Sequence, residues 1–404
     1  MHVALVTQNA DLELDLRPRA EAEALAAAGF QVTLVGGTRN VARVRELTDE
    51  NVALALYPMP RQAKGAAGQV VELSHAFSAA TRALIRLGRS SRIHVVHASN
   101  PPDNVWLSLP AVRAAQRSGP RFVFDQHDVA PVLLEEKYGG SIAAAAFGMP
   151  LRRLERSSFS NAALVVFAND EYERRAREEG LLQSPCAIVP NGWSVPPAAP
   201  SDHWREGAEH LLAYVGAINE QDHVDHLVEA VALLPRPETV RVCVAGDGAG
   251  RAAAERRAEE LGVGGSFRWL GWVYRREEIG SLVRSADVCV APEIDSEFNR
   301  LASFVKLVEY MSAGAPVVAH RLAQNIRVCG DTVEYAEDMN AAGLAAALSR
   351  LLSDPARAEA LGNAGRERFE KAIAWESVGA PRLVEAYRSV FGDPPSRTAQ
   401  PDTR

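Results

Sequence analysis

The chain has 404 residues, of which 47% are apolar and 24% charged, and its net charge is −7. A single core rarely grows past about 250–300 residues, so two domains are expected. The acidic balance argues against a nucleic-acid partner, which would require a basic patch.

Compartment signals also come from the sequence. The N-terminus runs directly into an apolar strand pattern, without the charged region and cleavage site of a signal peptide. No apolar run approaches the roughly 20 residues of a membrane span. The four cysteines are far apart and form no CxxC pair, as is typical of reduced thiols. A cytoplasmic protein is therefore expected.

In the first half, short apolar runs alternate with amphipathic stretches, including predicted helices at Arg19–Ala28 and Val70–Leu87. Strands separated by helices of this length imply right-handed βαβ units and a parallel sheet. The predicted strands are Val3–Thr7, Gln31–Val35, Val52–Tyr57, His94–His97, Arg121–Phe124 and Leu164–Phe167.

The second half repeats this scheme. Its predicted strands are Leu211–Val215, Val240–Ala245, Ser266–Leu270, Val288–Ala291 and Pro316–Ala319. Its predicted helices are Val224–Leu233, Arg251–Leu261, Glu277–Arg284 and Ala302–Ser312.

We therefore predict an α/β protein with two Rossmann-like, doubly wound domains. The first covers 1–190 and the second 201–375, joined by a Pro-, Asn- and Gly-rich linker at 191–200. A helix at about 376–391 is expected to cross back to the first domain, and the polar tail 392–404 is expected to be disordered. Open α/β sheets bind ligands beyond the carboxyl ends of their strands, so a nucleotide in one domain and an acceptor in the other, facing a common cleft, is the expected arrangement.

The most informative segment follows the strand predicted at Val288–Ala291. Lys306 and Glu309 are three residues apart and lie on one face of the predicted helix, with Ser303 close to that face. A helix N-terminus with a lysine one turn in suits a diphosphate, and Glu309 could accept two ribose hydroxyls. The same spacing also fits an amphipathic helix with a surface Lys–Glu pair and Asn299 as its cap.

This segment resembles the nucleotide-sugar site of the retaining GT-B glycosyltransferases of glycosyltransferase family 4 (group 1). Those proteins carry an acid, a seven-residue gap and a Glu within K-x-x-E-Y-M-A-x-G-x-P-V-V. The first acid is replaced here by Leu301, and the chain instead resembles a subgroup with N-x6-K-x2-E-Y-M. The resemblance implies that Lys306 holds the diphosphate, Glu309 holds the ribose, and Asn299 and Ser303 belong to the donor site.

Further matches in the second half carry the same implication. The loop after its first strand resembles V-G-x-x-x-x-Q-D-G-V-D, with His223 at the usual Gly and without the Arg and Lys that many members bring. By resemblance, Gly216 allows close backbone approach to the phosphates, Gly246 borders the nucleotide, and the backbone of Trp272 and Val273 reaches the base. Tight turns and a packed Trp272 are the alternative interpretations.

Three stretches of the first half also resemble the subgroup. They match D-x-R-x-x-x-E-A from Asp15, H-x-x-N-P-P-D from His97, and F-D-x-H-D-x-x-P from Phe124. The resemblance places Asp15, Arg17, Asn100 and Asp103 on the acceptor side, and implies that His127 and Asp128 position sugar and acceptor. A helix cap, turn formers and a loop histidine would explain the same residues without a site.

The function implied by the resemblance is retaining glycosyl transfer from a nucleoside-diphosphate sugar, UDP before GDP. The acceptor would be a polysaccharide precursor or a small natural product. A front-face mechanism needs no metal or cofactor, and the sequence contains no convincing metal-ligand cluster. A nucleotide-sugar epimerase and a non-catalytic partner subunit remain as alternatives. The basic stretch Arg82–Arg92 could touch a membrane surface, although a solvated helix face explains it as well.

Overall fold

The computed structural model describes residues 1–8, 11–59, 65–139 and 142–394. The chain divides into two compact units. Unit 1 comprises Met1–Pro190 together with the chain from Gly379 onward, and unit 2 comprises Asn191–Val378. No helix in the described part of the chain is long and apolar enough to cross a membrane.

Unit 1 contains a seven-stranded parallel sheet. Its strands are β1 (His2–Val6), β2 (Gln31–Thr38), β3 (Val52–Pro58), β4 (Val95–Ser99), β5 (Arg121–Gln126), β6 (Leu164–Phe167) and β7 (Cys186–Ile188). Its first seven helices are α1 (Leu16–Ala27), α2 (Val41–Leu47), α3 (Gly65–Ser90), α4 (Leu109–Gln116), α5 (Ala130–Tyr138), α6 (Ile142–Asn161) and α7 (Asp170–Glu178). The strand order β3-β2-β1-β4-β5-β6-β7 reverses between β1 and β4, which is where such sheets bind ligands.

Unit 2 contains a six-stranded parallel sheet. Its strands are β8 (His210–Val215), β9 (Val240–Ala245), β10 (Phe267–Gly271), β11 (Val288–Ala291), β12 (Val317–His320) and β13 (Glu334–Ala336). Its helices are α8 (Val224–Ala232), α9 (Arg251–Glu260), α10 (Arg276–Ser285), α11 (Glu297–Leu301), α12 (Val305–Ala313), α13 (Ala323–Cys329), α14 (Ala341–Leu352) and α15 (Pro355–Ala372). The order β10-β9-β8-β11-β12-β13 reverses between β8 and β11.

The last helix, α16 (Ala380–Phe391), belongs to unit 1. It packs against α1, β6 and β7, and it buries Leu383 and Tyr387 completely. The apolar face of this helix therefore completes the core of unit 1. The predicted disordered tail lies mostly outside the described residues.

Two features of unit 2 differ from the prediction. The single helix predicted over Ala302–Ser312 is wrong at its start, because Ala302 is extended and separates α11 from α12. Asn299 is not a helix cap, since Ser296 caps α11 by accepting a hydrogen bond from the Asn299 N–H. Lys306 consequently lies in the first turn of its own helix, nearer to the N-terminus than predicted.

Candidate active site

Lys306 lies where the sheet of unit 2 changes direction. Its side chain is only 7% exposed and its ammonium contacts the Glu293 carboxylate. The ammonium also donates to Tyr214 Oη at 2.9 Å and lies 3.6 Å from Asp222 Oδ1. Burial alone would lower the pKa of Lys306, but Glu293, Tyr214 and Asp222 together raise it above its usual value. The lysine is therefore a permanent cation held among acids.

Gly216 makes room for this lysine. Its φ of +149° disfavours any other residue, and an added Cβ would lie 3.0 Å from Lys306 Cε. Gly246 allows the loop after β9 to approach the loop after β8, because an added Cβ on Gly246 would lie 1.7 Å from the carbonyl oxygen of Gly216. Both glycines thus have a packing reason that is independent of phosphate binding.

Glu309 lies one turn after Lys306 and is 6% exposed. Its Oε1 accepts a hydrogen bond from Arg276 Nη1 at 2.7 Å, at the first residue of α10. The contact with Arg276 uses Oε1, so the geometry allows the other carboxylate oxygen to accept a hydrogen bond from a hydroxyl. Arg276 adds a second cation to a site for which the sequence had indicated Lys306 alone.

Asn299 and Ser303 flank the break between α11 and α12. The Asn299 amide is fully buried and donates to the carbonyl oxygens of Gln221 and Ile294, at 3.0 and 2.9 Å. It thereby ties the loop after β8 to the loop after β11. Ser303 is half-buried in the extended link between the two helices.

Trp272 and Val273 follow the edge strand β10. Trp272 is 55% exposed, so the packed indole that the sequence left as an alternative is not observed. Both residues line a cavity of about 650 Å³ between β10 and α10, together with Trp204, Arg268 and Tyr274. This cavity does not include Lys306 or Glu309 in its lining.

In unit 1, Asn100 joins the ends of β4 and β5. Its Oδ1 accepts hydrogen bonds from the backbone N–H groups of His127 and Asp128, at 2.6 and 3.1 Å. Its Nδ2 donates to Asp103 Oδ1 and to the carbonyl oxygen of Asp128, both at 2.8 Å. Every polar atom of this amide is thus engaged within the protein, and Asn100 fixes the loop that carries His127.

His127 projects from that loop onto a buried network. Its Nε2 contacts the carboxylate of Asp125, whose other oxygen receives Arg17 Nη2 at 3.0 Å. Arg17 also pairs with Glu21 at 2.9 Å and donates to the carbonyl oxygen of Val189. Burial alone would raise the pKa of Asp125, but Arg17 and His127 hold it well below its usual range. His127 therefore faces a permanently ionised carboxylate.

The same network reaches α16 through His97. His97 Nδ1 lies 2.7 Å from Tyr387 Oη, and its Nε2 lies 3.4–3.5 Å from Asp125 and Glu21. Burial lowers the pKa of His97 and raises that of Glu21 well above its usual value. Arg17, predicted to contact an acceptor, is 3% exposed and works here as an internal counter-ion.

The remaining predicted acids of unit 1 have raised pKa values. Burial raises the pKa of Asp103 to about 7 and that of Asp128 to about 6. Burial also raises the pKa of Asp15, at the N-cap position of α1, against the opposing effect of His127. The geometry brings Asn100, Asp103, His127 and Asp128 together, while their contacts with an acceptor stay a prediction.

Metal ligation is geometrically feasible in unit 1, which the sequence patterns did not indicate. Among the described residues, Glu21, Asp125 and His127 offer ligand atoms that all lie within 4.8 Å of one another. Arg17 already contacts both carboxylates and supplies positive charge at that position. The residues therefore balance most of their charge without an ion.

Several residues that contact the predicted site residues were not indicated by the sequence. Glu293 and Tyr214 approach Lys306, and Arg276 approaches Glu309, yet none of the three occurs in the motif that contains its partner. Glu293 had one recognisable signal: it comes two residues after an interior strand, at the edge of the sheet where ligands bind.

Comparison with known proteins assigns a class to each half of the chain. A family model described as Glycosyl transferase 4-like domain matches residues 17–192, and one described as Glycosyl transferases group 1 matches residues 200–368. The chain therefore carries both domains of this class of glycosyltransferase, which confirms the predicted family at that level. The finer subgroup assignment stays a prediction.

Two curated relatives come from Mycobacterium tuberculosis. A GDP-mannose-dependent alpha-(1-6)-phosphatidylinositol dimannoside mannosyltransferase is 26% identical over 183 residues, which is 45% of this chain and 45% of that protein. A glycogen synthase is 28% identical over 327 residues, which is 76% of this chain and 72% of that protein. The chain thus matches less than half the length of the first relative.

Solved structures show the same fold. A sucrose-phosphate synthase from Thermosynechococcus elongatus has a TM-score of 0.76 at 20% identity, covering 96% of this chain and 99% of that one. The Anabaena protein HepE, in complex with UDP and glucose, has a TM-score of 0.70 at 14% identity, covering 96% and 100%. These likenesses confirm the predicted GT-B fold with two parallel-sheet α/β domains.

Proposed function

We propose that the protein transfers a glycosyl group from a nucleoside-diphosphate sugar to an acceptor, with unit 2 holding the donor nucleotide and unit 1 the acceptor. The observation that carries this proposal is the Lys306 ammonium, placed beside Gly216 at the switch point of the unit 2 sheet. A fixed cation at that point suits a diphosphate. The group 1 domain over the same residues supports the assignment.

The proposed reaction retains the anomeric configuration. The bond from the anomeric carbon to the donor phosphate oxygen breaks through an oxocarbenium-like transition state. The acceptor oxygen forms its new bond on the same face, and its proton passes to the leaving phosphate. Negative charge therefore grows on the diphosphate, and a cation aimed at that group stabilises the transition state more than the ground state. No step requires a metal.

The donor is proposed to carry UDP first and GDP second. The structural neighbour HepE, which has UDP and glucose bound, supports UDP. The GDP-mannose-dependent mannosyltransferase supports GDP. The acceptor is proposed to be a polysaccharide precursor or a small natural product. Stabilisation of the folded chain against heat by UDP or GDP would identify the nucleotide, because a ligand that binds only the folded state raises the melting temperature.

Lys306 provides the decisive test. We expect Lys306→Ala to reduce single-turnover transfer by about 10²–10³-fold, the range for losing one such electrostatic contact. Nucleotide affinity should fall less than turnover. Lys306→Arg should not restore full activity, because the larger, planar guanidinium does not replace a compact ammonium packed against Gly216. Turnover of Lys306→Ala within about threefold of wild type would contradict the assignment.

A non-catalytic nucleotide-binding subunit is the second candidate. It is favoured by the contact of Lys306 with Glu293, because the lysine charge is already balanced inside the protein. Donor binding without transfer or donor hydrolysis, across acceptors of both proposed classes, would support this candidate over the enzyme.

A further inference from the structure

Glu293 is a buried acid for which the proposed transfer has no use. The residue is 0% exposed, and its Oε1 contacts Lys306. Its Oε2 has no hydrogen-bond partner among the described residues. A buried carboxylate oxygen without a partner is costly. Because Glu293 stands just beyond β11, at the ligand-binding edge of the sheet, this oxygen points to a role when a ligand is bound.

Around Lys306, carboxylates outnumber the single ammonium even before a donor binds. One ammonium faces two carboxylates, those of Glu293 and Asp222, and the Asp222 side chain is only 13% exposed. A donor diphosphate brings further negative charge to the same point. In a poorly solvated site, repulsion between like charges is strong, and protonation of one acid relieves it.

Among the groups that face Glu293, the structure indicates which one takes the proton. Asp222 Oδ2 accepts hydrogen bonds from Asn219 N and Nδ2, at 2.9 and 3.2 Å, so this oxygen already has donors within the protein. Tyr214 already carries its proton, which it donates to the carbonyl oxygen of Ala217. Tyr310 Oη likewise donates to the carbonyl oxygen of Val290 at 3.4 Å, and it accepts a hydrogen bond from the Val215 N–H.

Among Glu293, Asp222, Tyr214 and Tyr310, Glu293 is the one that combines complete burial with an oxygen that lacks a partner. Burial raises the pKa of Glu293, and Lys306 opposes that effect. When the Lys306 ammonium interacts with a diphosphate, it stabilises the Glu293 carboxylate less, and the proton affinity of Glu293 rises further.

We propose that Glu293 is a positioning residue for Lys306 that takes up one proton from solvent when a donor diphosphate binds. Lys306 then directs its charge at the diphosphate, and the new O–H of Glu293 becomes a hydrogen-bond donor to the ligand. This inference rests on the proposed function, in which Lys306 holds the diphosphate. It also explains how a lysine already paired with an acid can serve an anionic ligand.

The sign of the pH effect follows directly. If binding takes up a proton, affinity falls as pH rises, by up to about tenfold per pH unit for one proton. We would titrate the full-length chain with UDP and with GDP by calorimetry between about pH 7 and 8. This range lies above the phosphate pKa of about 6, so the nucleotide itself contributes little. Two buffers with different ionisation enthalpies report the number of protons taken up.

The variant Glu293→Gln mimics the protonated acid. It should bind the nucleotide without proton uptake, with a dissociation constant that changes less than about twofold across the pH range, and more tightly than wild type at the upper end. Glu297→Gln is the matched control, because Glu297 is an exposed acid on the same segment. It should retain both the proton uptake and the pH dependence of the wild type.

The outcomes separate this inference from the proposed function. If neither nucleotide binds to the wild type, the proposed function fails and the inference with it. Binding without proton uptake overturns the inference alone, as does uptake that persists in Glu293→Gln, which would assign the proton to another group such as His223. If Glu293→Gln does not fold, the wild-type titration still decides, because an affinity independent of pH overturns the inference.

Discussion

Arg276 and Glu309 form an ion pair at the predicted nucleotide site, and its two sides differ in exposure. The Glu309 side chain is 8% exposed, whereas the Arg276 guanidinium is 43% exposed. A pair with one exposed partner contributes little stability, so its main effect is to orient the carboxylate from a neighbouring helix. Arg276 contacts one oxygen of this carboxylate, and the second oxygen is the one predicted to accept a ribose hydroxyl.

We therefore expect Glu309→Ala to weaken nucleotide binding by roughly 2–3 kcal/mol, the scale of hydrogen bonds to a charged group. Arg276→Ala, which removes only the orienting contact, should cost about 1 kcal/mol or less. Calorimetry with a nucleotide and its 2′-deoxy analogue checks the assignment. The deoxy analogue should be penalised in the wild type and much less in Glu309→Ala. Unchanged affinity in Glu309→Ala would remove this residue from the site.

Asp103 gives unit 1 a pH-dependent stability. Burial raises its pKa to about 7, so the folded state binds the proton more tightly than the unfolded state. The stabilisation is complete below the unfolded pKa of about 4 and is lost as pH rises toward 7. Between pH 5 and 7 the loss should be roughly 2–3 kcal/mol, at about 1.4 kcal/mol per pH unit.

Asp103→Asn should flatten this dependence, because the amide can still accept the hydrogen bond from Asn100 and cannot ionise. Urea unfolding at pH 5 and 8, followed at the nearby Trp106 with fluorine-labelled tryptophan, measures the effect in unit 1. Asp331→Asn, an exposed acid of unit 2, serves as the control. If the free energy of unfolding changed with pH equally in wild type and in Asp103→Asn, Asp103 would already be ionised at low pH in the folded state.

The sequence could predict site residues within one segment better than their partners. Lys306 and Glu309 share a helix, so their spacing alone places them on one face. Glu293 and Arg276 reach the same two residues from the loop after β11 and from the start of α10. Their positions depend on which strands are neighbours in the folded sheet, and periodicity in a single segment carries no information about that.

At the scale of elements, the loops after β8 and β9 meet through two glycines. Gly246 approaches Gly216 so closely that any side chain on Gly246 would collide with a backbone carbonyl, which cannot turn away. Gly246 also forms an isolated bridge with Gly271 at the end of β10. The three loops at this end of the unit 2 sheet are thus fixed relative to one another by close backbone contact.

Gly246→Ala should therefore destabilise unit 2 by about 3 kcal/mol or more, within the range of severe overpacking or strain. Gly265→Ala is the matched control, because an added Cβ there meets nothing within 4 Å. Its effect should remain within about 0.5 kcal/mol, as for surface substitutions. Urea unfolding of both variants makes the comparison, and similar midpoints would contradict the close approach of the two loops.

Interior strands were predicted more closely than edges and breaks. β9 and β11 have the bounds that the sequence indicated. β11 is fully buried and β9 is buried except at Arg241, so both appear in the sequence as largely apolar runs. β7 and β13 were missed, since each is a three-residue edge strand and too short to show a period. The break before α12 was missed because Ala302, Ser303 and Phe304 lack a Pro or Gly that would announce it.

At the scale of the whole molecule, the ends of unit 2 hold each other. Trp193 packs against Trp375 with ring centroids 4.5 Å apart, and the Trp375 N–H donates to the Gly192 carbonyl oxygen at 2.8 Å. Val195 is also buried in the unit 2 core. The stretch predicted as a linker is therefore part of the packing of unit 2.

Unit 1 is discontinuous in sequence, which matters for any dissection of the chain. Tyr387 on α16 is fully buried and forms a hydrogen bond with His97, which lies beside Asp125, the carboxylate that His127 contacts. A fragment that ends at Pro190 lacks this helix. It should expose the apolar surface that Leu383 and Tyr387 cover, and the hydrogen-bond partner of His97 would be lost.

These boundaries sharpen the prediction on the division of labour. A fragment of residues 191–378 should fold and bind the nucleoside diphosphate within about threefold of the full chain, since every contact of Lys306 and Glu309 described above lies inside it, and a threefold change is under 1 kcal/mol. It should transfer nothing, because the residues predicted on the acceptor side belong to unit 1.

A fragment of residues 200–374 loses Trp193, Val195 and Trp375. It should therefore unfold at a lower urea concentration and bind nucleotide only to the extent that it folds. Calorimetry and urea unfolding of the two fragments test both expectations. Nucleotide binding by the chain but not by a folded 191–378 fragment would overturn the assignment of the donor to unit 2.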